Sequence, residues 1–157
     1  MKLSTKGRYG LRAMINMAIH KDEGPNAVYL VAEREGISDR YLEQLMVALK
    51  RAGLIKSIRG PQGGYILARE PEQITVGQII RALEGPIAPV DCVSEEYPEE
   101  CERADQCVTR LLWTKVRDSI ADVLDSYTLQ DMVTESKQMN PDCSETSTKK
   151  TGKGTKV

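Results

Sequence analysis

The feature that most restricts this chain is the tripeptide Gly36-Ile37-Ser38, wedged between two apolar-periodic stretches. A glycine can take the left-handed conformation that closes a helix. A serine two residues later is a good N-cap for the next one. Ile37 before the cap and Leu42 four residues after it are spaced for a hydrophobic staple. Leu42, Leu45, Met46 and Leu49 then mark one face of a helix that ends at Gly53. Two helices hinged by so short a turn form a helix-turn-helix unit.

The flanking segments extend the pattern. Leu11, Met14, Ile15, Ala18 and Ile19 follow a helical period, which predicts a first helix from about Thr5 to Lys21. Asn26, after Gly24-Pro25, is placed to cap a second helix running to Glu35. Residues 54–58 and 65–69 read as two strands around the turn Arg59-Gly60-Pro61-Gln62-Gly63-Gly64, a hairpin tipped by an arginine. Thr75 can cap a fourth helix, which Glu84-Gly85-Pro86 stops. Residues 86–104 read as an acidic, proline-containing loop. A long helix is predicted from about Asp105 to Ser126, with Val108, Leu111, Leu112, Trp113, Val116, Ile120, Val123 and Leu124 spread over more than one narrow stripe. So wide an apolar surface on so small a domain implies a second copy of the chain. Thr128 can start a last short helix, and residues 136–157 are polar and expected to be disordered. The expectation is a mainly α protein: a winged helix-turn-helix domain with a two-stranded wing over residues 1–85, a cysteine loop and dimerisation helices over 86–135, and the tail.

Charge separates along the chain although the total is −1. Residues 1–70 carry 12 Lys+Arg against 7 Asp+Glu, and residues 71–135 carry 5 against 14. A basic first half suits a polyanion. On the outward face of the helix after Ser38, Arg40 and Gln44 are the types that read guanine and adenine, and Glu43 can accept from cytosine. Glu43 is expected to act as a filter, tolerated only opposite cytosine. Ser38 and Tyr41 suit phosphate, as do Lys2, Ser4, Thr5, Lys6 and Arg8 near the start. Arg59 and Gly60 at the hairpin tip suit the minor groove. These residues imply binding to double-stranded DNA. There is no apolar stretch of membrane-spanning length and no apolar leader, so a cytoplasmic protein without a membrane partner is expected.

Four cysteines occur, Cys92, Cys101, Cys107 and Cys143. In a reducing compartment they do not read as disulfides. Three fall within sixteen residues, spaced C-x8-C-x5-C. Soft thiolates in such a group suit an iron–sulfur cluster, although three make an incomplete set. The paired C-x2-C spacing of structural zinc is missing. Free thiols in a loop with Glu95, Glu96, Glu99, Glu100 and Glu102 are the alternative, and the acids are expected to raise their pKa. One histidine and no nucleotide-binding glycine motif leave little basis for an enzyme.

The segments MKLSTKGRYGLRAM, GISDRYLEQL, AGLIKSIRGPQGGYILA and ITVGQIIRALEGPIAPVDC, in this order, resemble the Rrf-type winged-helix transcription regulators of the IscR/CymR/NsrR group. The resemblance covers residues 1 to about 135. It implies a homodimer with crossing long helices, a palindromic operator and repression. The cysteine layout is similar to IscR members, which hold a 2Fe–2S cluster on three cysteines and a histidine, whereas the EGPIAPV stretch is closer to CymR. The histidine's position is Arg110 here, and arginine is not a ligand. The resemblance therefore implies a 2Fe–2S cluster on Cys92, Cys101 and Cys107 with its fourth ligand open, in a regulator of iron–sulfur cluster assembly genes. The alternative it implies is a cluster-free regulator of cysteine metabolism controlled by a protein partner.

Overall fold

The computed structural model describes residues 3–140; Lys2 and Cys143, and most of the expected tail, lie outside them. The helices are α1 (Thr5–Ile19), α2 (Val28–Glu35), α3 (Asp39–Arg51), α4 (Val76–Glu84), α5 (Val108–Ser126) and α6 (Leu129–Met139). Strands β1 (Ile55–Ile58) and β2 (Gly64–Leu67) pair antiparallel, with Ile55 opposite Leu67 and Ile58 opposite Gly64. This is the expected winged helix-turn-helix, mainly helical with a two-stranded wing. No helix among the described residues is long and apolar enough to cross a membrane.

The turn between α2 and α3 forms as its residues dictate. Gly36 sits at φ +66°, and the Ile37 N–H donates back to the Ala32 carbonyl at 3.0 Å. The Ser38 hydroxyl accepts from the Tyr41 N–H and caps α3. Ile37 packs, partly buried, against the core that contains Leu42. Thr75 and Thr128 each form a full capping box, with Gln78 and Asp131 reaching back to the cap residue.

One core serves most of these elements. Ala13, Met14 and Met17 of α1 meet Val31 and Ala32 of α2, Leu42, Leu45, Met46 and Leu49 of α3, and Ile79 and Leu83 of α4. With no Phe in the sequence, the flexible methionines fill the centre. Leu129 and Val133 of α6 are buried in this same cluster. Backbone bonds from the Val76 N–H to the Tyr127 carbonyl and from the Leu129 N–H to the Ile74 carbonyl bring the starts of α4 and α6 together. The core thus spans the expected boundary at residues 85/86. α1 and α4 come unusually close: a side chain on Gly10 would overlap Leu83, and one on Gly7 would overlap the Glu84 carboxylate.

Several boundaries differ from expectation. α1 stops at Ile19, because His20 takes the C-cap and its ring pairs with Glu23 at 2.9 Å. Asn26 does not cap α2. It is buried, its N–H and C=O are both exchanged with Tyr65 of the wing, and Ala27 becomes the N-cap without a side-chain bond. α5 begins at Val108 rather than Asp105, since residues 104–106 form a separate tight turn. The tail does not begin at 136, because α6 runs on to Met139.

The Gly10 contact yields a direct test. Gly10→Ala places a methyl group where Leu83 lies and should cost about 1–3 kcal/mol of stability as an overpacked core site, read from urea denaturation. An unchanged midpoint would mean that α1 and α4 separate more easily than this packing implies.

Candidate nucleic-acid interface

α3 turns its polar arc outward. Arg40, Glu43, Gln44, Val47, Lys50 and Arg51 are all exposed, while Leu42, Leu45, Met46 and Leu49 are at most 3% exposed. Among the described residues, Arg40, Glu43 and Gln44 make no side-chain hydrogen bond or ion pair within the chain, so their donors and acceptors face solvent. Lys50 differs: its Nζ donates to the Ser57 hydroxyl at 2.7 Å and fastens the wing to α3. The Asn26–Tyr65 exchange fastens the wing's root to the segment before α2. At the tip, Arg59 and Gly60 are exposed, with Gly60 at φ +119°. Helix and wing are thus joined, with Arg40, Lys50 and Arg51 exposed on α3 and Lys56 and Arg59 exposed on the wing.

The start of α1 meets α3 through Thr5 and Tyr41. Thr5, Lys6 and Arg8 are exposed. The Tyr41 hydroxyl donates to Thr5 Oγ1 at 3.1 Å, and its ring meets Tyr9 edge-on, with Arg12 over the Tyr9 face at 5.3 Å. Tyr41 therefore braces α3 against α1 as well as facing the arc. Ser4 is held more tightly. It caps α1 by accepting from the Lys6 N–H, and its own N–H and O–H both donate to Glu84 Oε1, at 3.1 and 2.5 Å. The Gly7 N–H donates to the same oxygen at 2.8 Å. A carboxylate is well placed at a helix N-terminus. Glu84 was invisible to sequence reasoning, which read it only as part of a helix stop.

The cysteine loop connects α4 to α5. Cys92 is half-buried in the tight turn Asp91–Val93, Cys101 is exposed, and Cys107 is the half-buried N-cap of α5. Cys107 Sγ lies 3.2 Å from Thr109 Oγ1. That hydroxyl, then the Arg110 N–H, hold its thiol below the ordinary range. The expectation of a raised thiol fails at Cys107, because the Thr109 hydroxyl and the N–H groups at the start of α5 face the sulfur. The donor chemistry of three thiols with one favoured as thiolate fits an iron–sulfur group. The arrangement does not: among the described residues no three His, Cys, Asp or Glu side chains converge on a metal position.

The loop is tied to the fold by Arg81 of α4. Its guanidinium donates to both oxygens of Glu95, at 2.7 and 2.9 Å, and to both of Asp125 on α5, at 2.7 and 3.0 Å. Glu95 also accepts from the Ile87 N–H, and Arg117 of α5 donates to the Val93 carbonyl. The two carboxylates lie 14 and 44 residues from Arg81, beyond any local pattern. α5 itself has no buried residue. Val108, Leu111, Leu112 and Val123 are 54–78% exposed, and Lys115, Val116, Ser119, Ile120, Val123 and Leu124 line an open groove of about 420 Å³.

Comparisons agree with this arrangement. The family model for Rrf2, described as an iron-dependent transcriptional regulator, matches residues 3–135. The HTH-type transcriptional regulator CymR of Bacillus subtilis is 49% identical over 132 residues, covering 84% of this chain and 89% of that protein. The regulator IscR of Pectobacterium atrosepticum is 39% identical over 155 residues, covering 98% and 93%. Among solved structures, B. subtilis CymR, described as the global cysteine regulator, superposes with a TM-score of 0.71 at 49% identity over 86% of this chain and 98% of that one. T. potens IscR gives 0.72 at 47% identity over 89% and 91%.

Arg81 holds the Glu95 carboxyl below its ordinary value of 4.5. A depressed carboxyl stabilises the fold fully above its unfolded pKa, and that contribution disappears as pH falls through the lower folded value. The stability difference between wild type and Glu95→Gln should therefore be constant from pH 7 down to about 5 and shrink below 4.5, followed by thermal denaturation. A difference that grew on acidification would contradict the assignment.

Proposed function

The chain belongs to the Rrf2 family of DNA-binding transcriptional regulators, and we propose that it acts in the cytoplasm as a homodimeric repressor on a palindromic operator. The observation that carries this is the outward arc of α3, with Arg40, Glu43 and Gln44 unpaired beside an arginine-tipped wing. α3 enters the major groove, and Arg40 and Gln44 read base edges. Lys6 and Arg8 hold phosphate, and Arg59 follows the wing into the minor groove. The uncovered face of α5 supplies the contact between copies, which sets two α3 helices about one helical turn of DNA apart.

The cysteine loop is the responsive element of this reading. Cys92, Cys101 and Cys107 are the residues that would hold a 2Fe–2S group, with the fourth ligand supplied from outside this set. When bound, such a group supplies a redox-active centre on the loop. Arg81 would then relate the order of that loop to α4 and α5, and genes of iron–sulfur cluster assembly are the targets this reading implies. A second reading, a cluster-free regulator of cysteine metabolism governed by a protein partner, is favoured by the unconverged thiols and by the likeness to CymR.

Retention of duplex DNA from a random-sequence pool at low ionic strength tests the DNA reading. The logarithm of the affinity should fall linearly with the logarithm of salt concentration. Arg40→Ala and Gln44→Ala should each lose about 1–3 kcal/mol of discrimination on the selected site while non-specific binding persists. A monomeric protein, or one that retains no duplex, would sink it. The two readings of the loop part on anaerobic iron and sulfide analysis: iron and sulfide in wild type and their loss in Cys107→Ala support the cluster, whereas a colourless, iron-free protein supports the partner model.

A further inference from the structure

The outward arc of α3 contains one exposed large apolar residue, and burial gives it no task. Val47 is 54% exposed. The four apolar residues that face the core, Leu42, Leu45, Met46 and Leu49, already complete the helix's buried side. At about 100° per residue, Arg40, Gln44, Val47 and Arg51 fall within about 60° of one another, and Val47 lies near the middle of the arc, with Glu43 at one border. A β-branched side chain is a weaker helix former than the long polar residues around it. Neither burial nor helix propensity accounts for an apolar group at the centre of a polar reading face.

We propose that Val47 is a specificity-determining residue that recognises thymine through its C5-methyl group. This rests on the reading of α3 as the groove-entering helix and deepens it. In the major groove, thymine is the base that presents an apolar group, and apolar side chains make that contact. Val47 follows Arg40 by seven residues, about 10 Å along the helix axis, so the bases the two reach lie at most roughly three steps apart. Its side chain extends from the same stripe as Arg40 and Gln44 and is more than half exposed. The recognised half-site therefore contains a thymine within about three base pairs of the base read by Arg40, on either strand.

The test uses the full chain and a duplex selected from a random pool. Each thymine in the selected half-site is replaced in turn by deoxyuridine, which keeps the Watson–Crick pairing and removes the methyl group alone. Wild type should lose about 3–5-fold in affinity at one such position per half-site, the amount expected for one buried methyl group. Val47→Ala should bind the unmodified duplex more weakly by a similar factor and show no further loss with deoxyuridine. Because Val47 is exposed, this variant keeps the core intact, and an unchanged circular dichroism spectrum verifies it. If deoxyuridine is neutral at every position, or if Val47→Ala loses as much as wild type at the same position, the assignment to Val47 is overturned while DNA binding stands. If no duplex is selected at all, the DNA-binding reading falls and takes the assignment with it.

Discussion

The close approach of α1 and α4 at Gly7 and Gly10 is the constraint on which the rest of the arrangement depends. Only where α1 lacks side chains can Leu83 enter the core so near its axis and Glu84 reach the first turn. Glu84 then takes three donors from Ser4 and Gly7, where a helix start offers unpaired N–H groups. The beginning of α1, which meets α3 through Thr5 and Tyr41, is thereby set by a residue at the far end of α4.

α4 is consequently shared by two halves of the molecule. Leu83 and Ile79 belong to the core beneath α3, while Arg81, on the same helix, holds Glu95 of the cysteine loop and Asp125 of α5. A shift of the loop that pulled on Arg81 would act on a rigid element which also positions α1. Coupling of this sort needs a physical connection with two arrangements. The fork of Arg81 supplies the connection, and its two carboxylates lie on the two elements that a ligand or a second subunit would disturb.

Much of this was legible in the sequence where the cause is local. Gly36 and Ser38 specify the turn, Thr75 with Gln78 specifies a cap, and apolar spacing marks α3 and α5. What escaped was non-local. Asn26 looks like a helix cap because its type favours caps, yet Tyr65, on the wing, claims its backbone. Leu129 and Val133 look like a marginal terminal helix, and only the folded chain returns them to α1. Glu84 and Ser4 are eighty residues apart, and no periodicity connects them. The Cys107 thiol was misjudged for a related reason: counting acids in a loop ignores the helix start and the hydroxyl of Thr109 beside the sulfur.

The bare flank of α5 has a consequence for the life of the protein in a cell. A nineteen-residue helix with no buried side chain is held only by its edges within one copy. If copies associate through this flank, as proposed, its folding free energy would be completed by association and stability would become a function of abundance. Dilution then works as a denaturant. On that reading, a cell that halved the supply of this chain would weaken each surviving molecule as well as reduce their number, and the response of a promoter under its control would steepen.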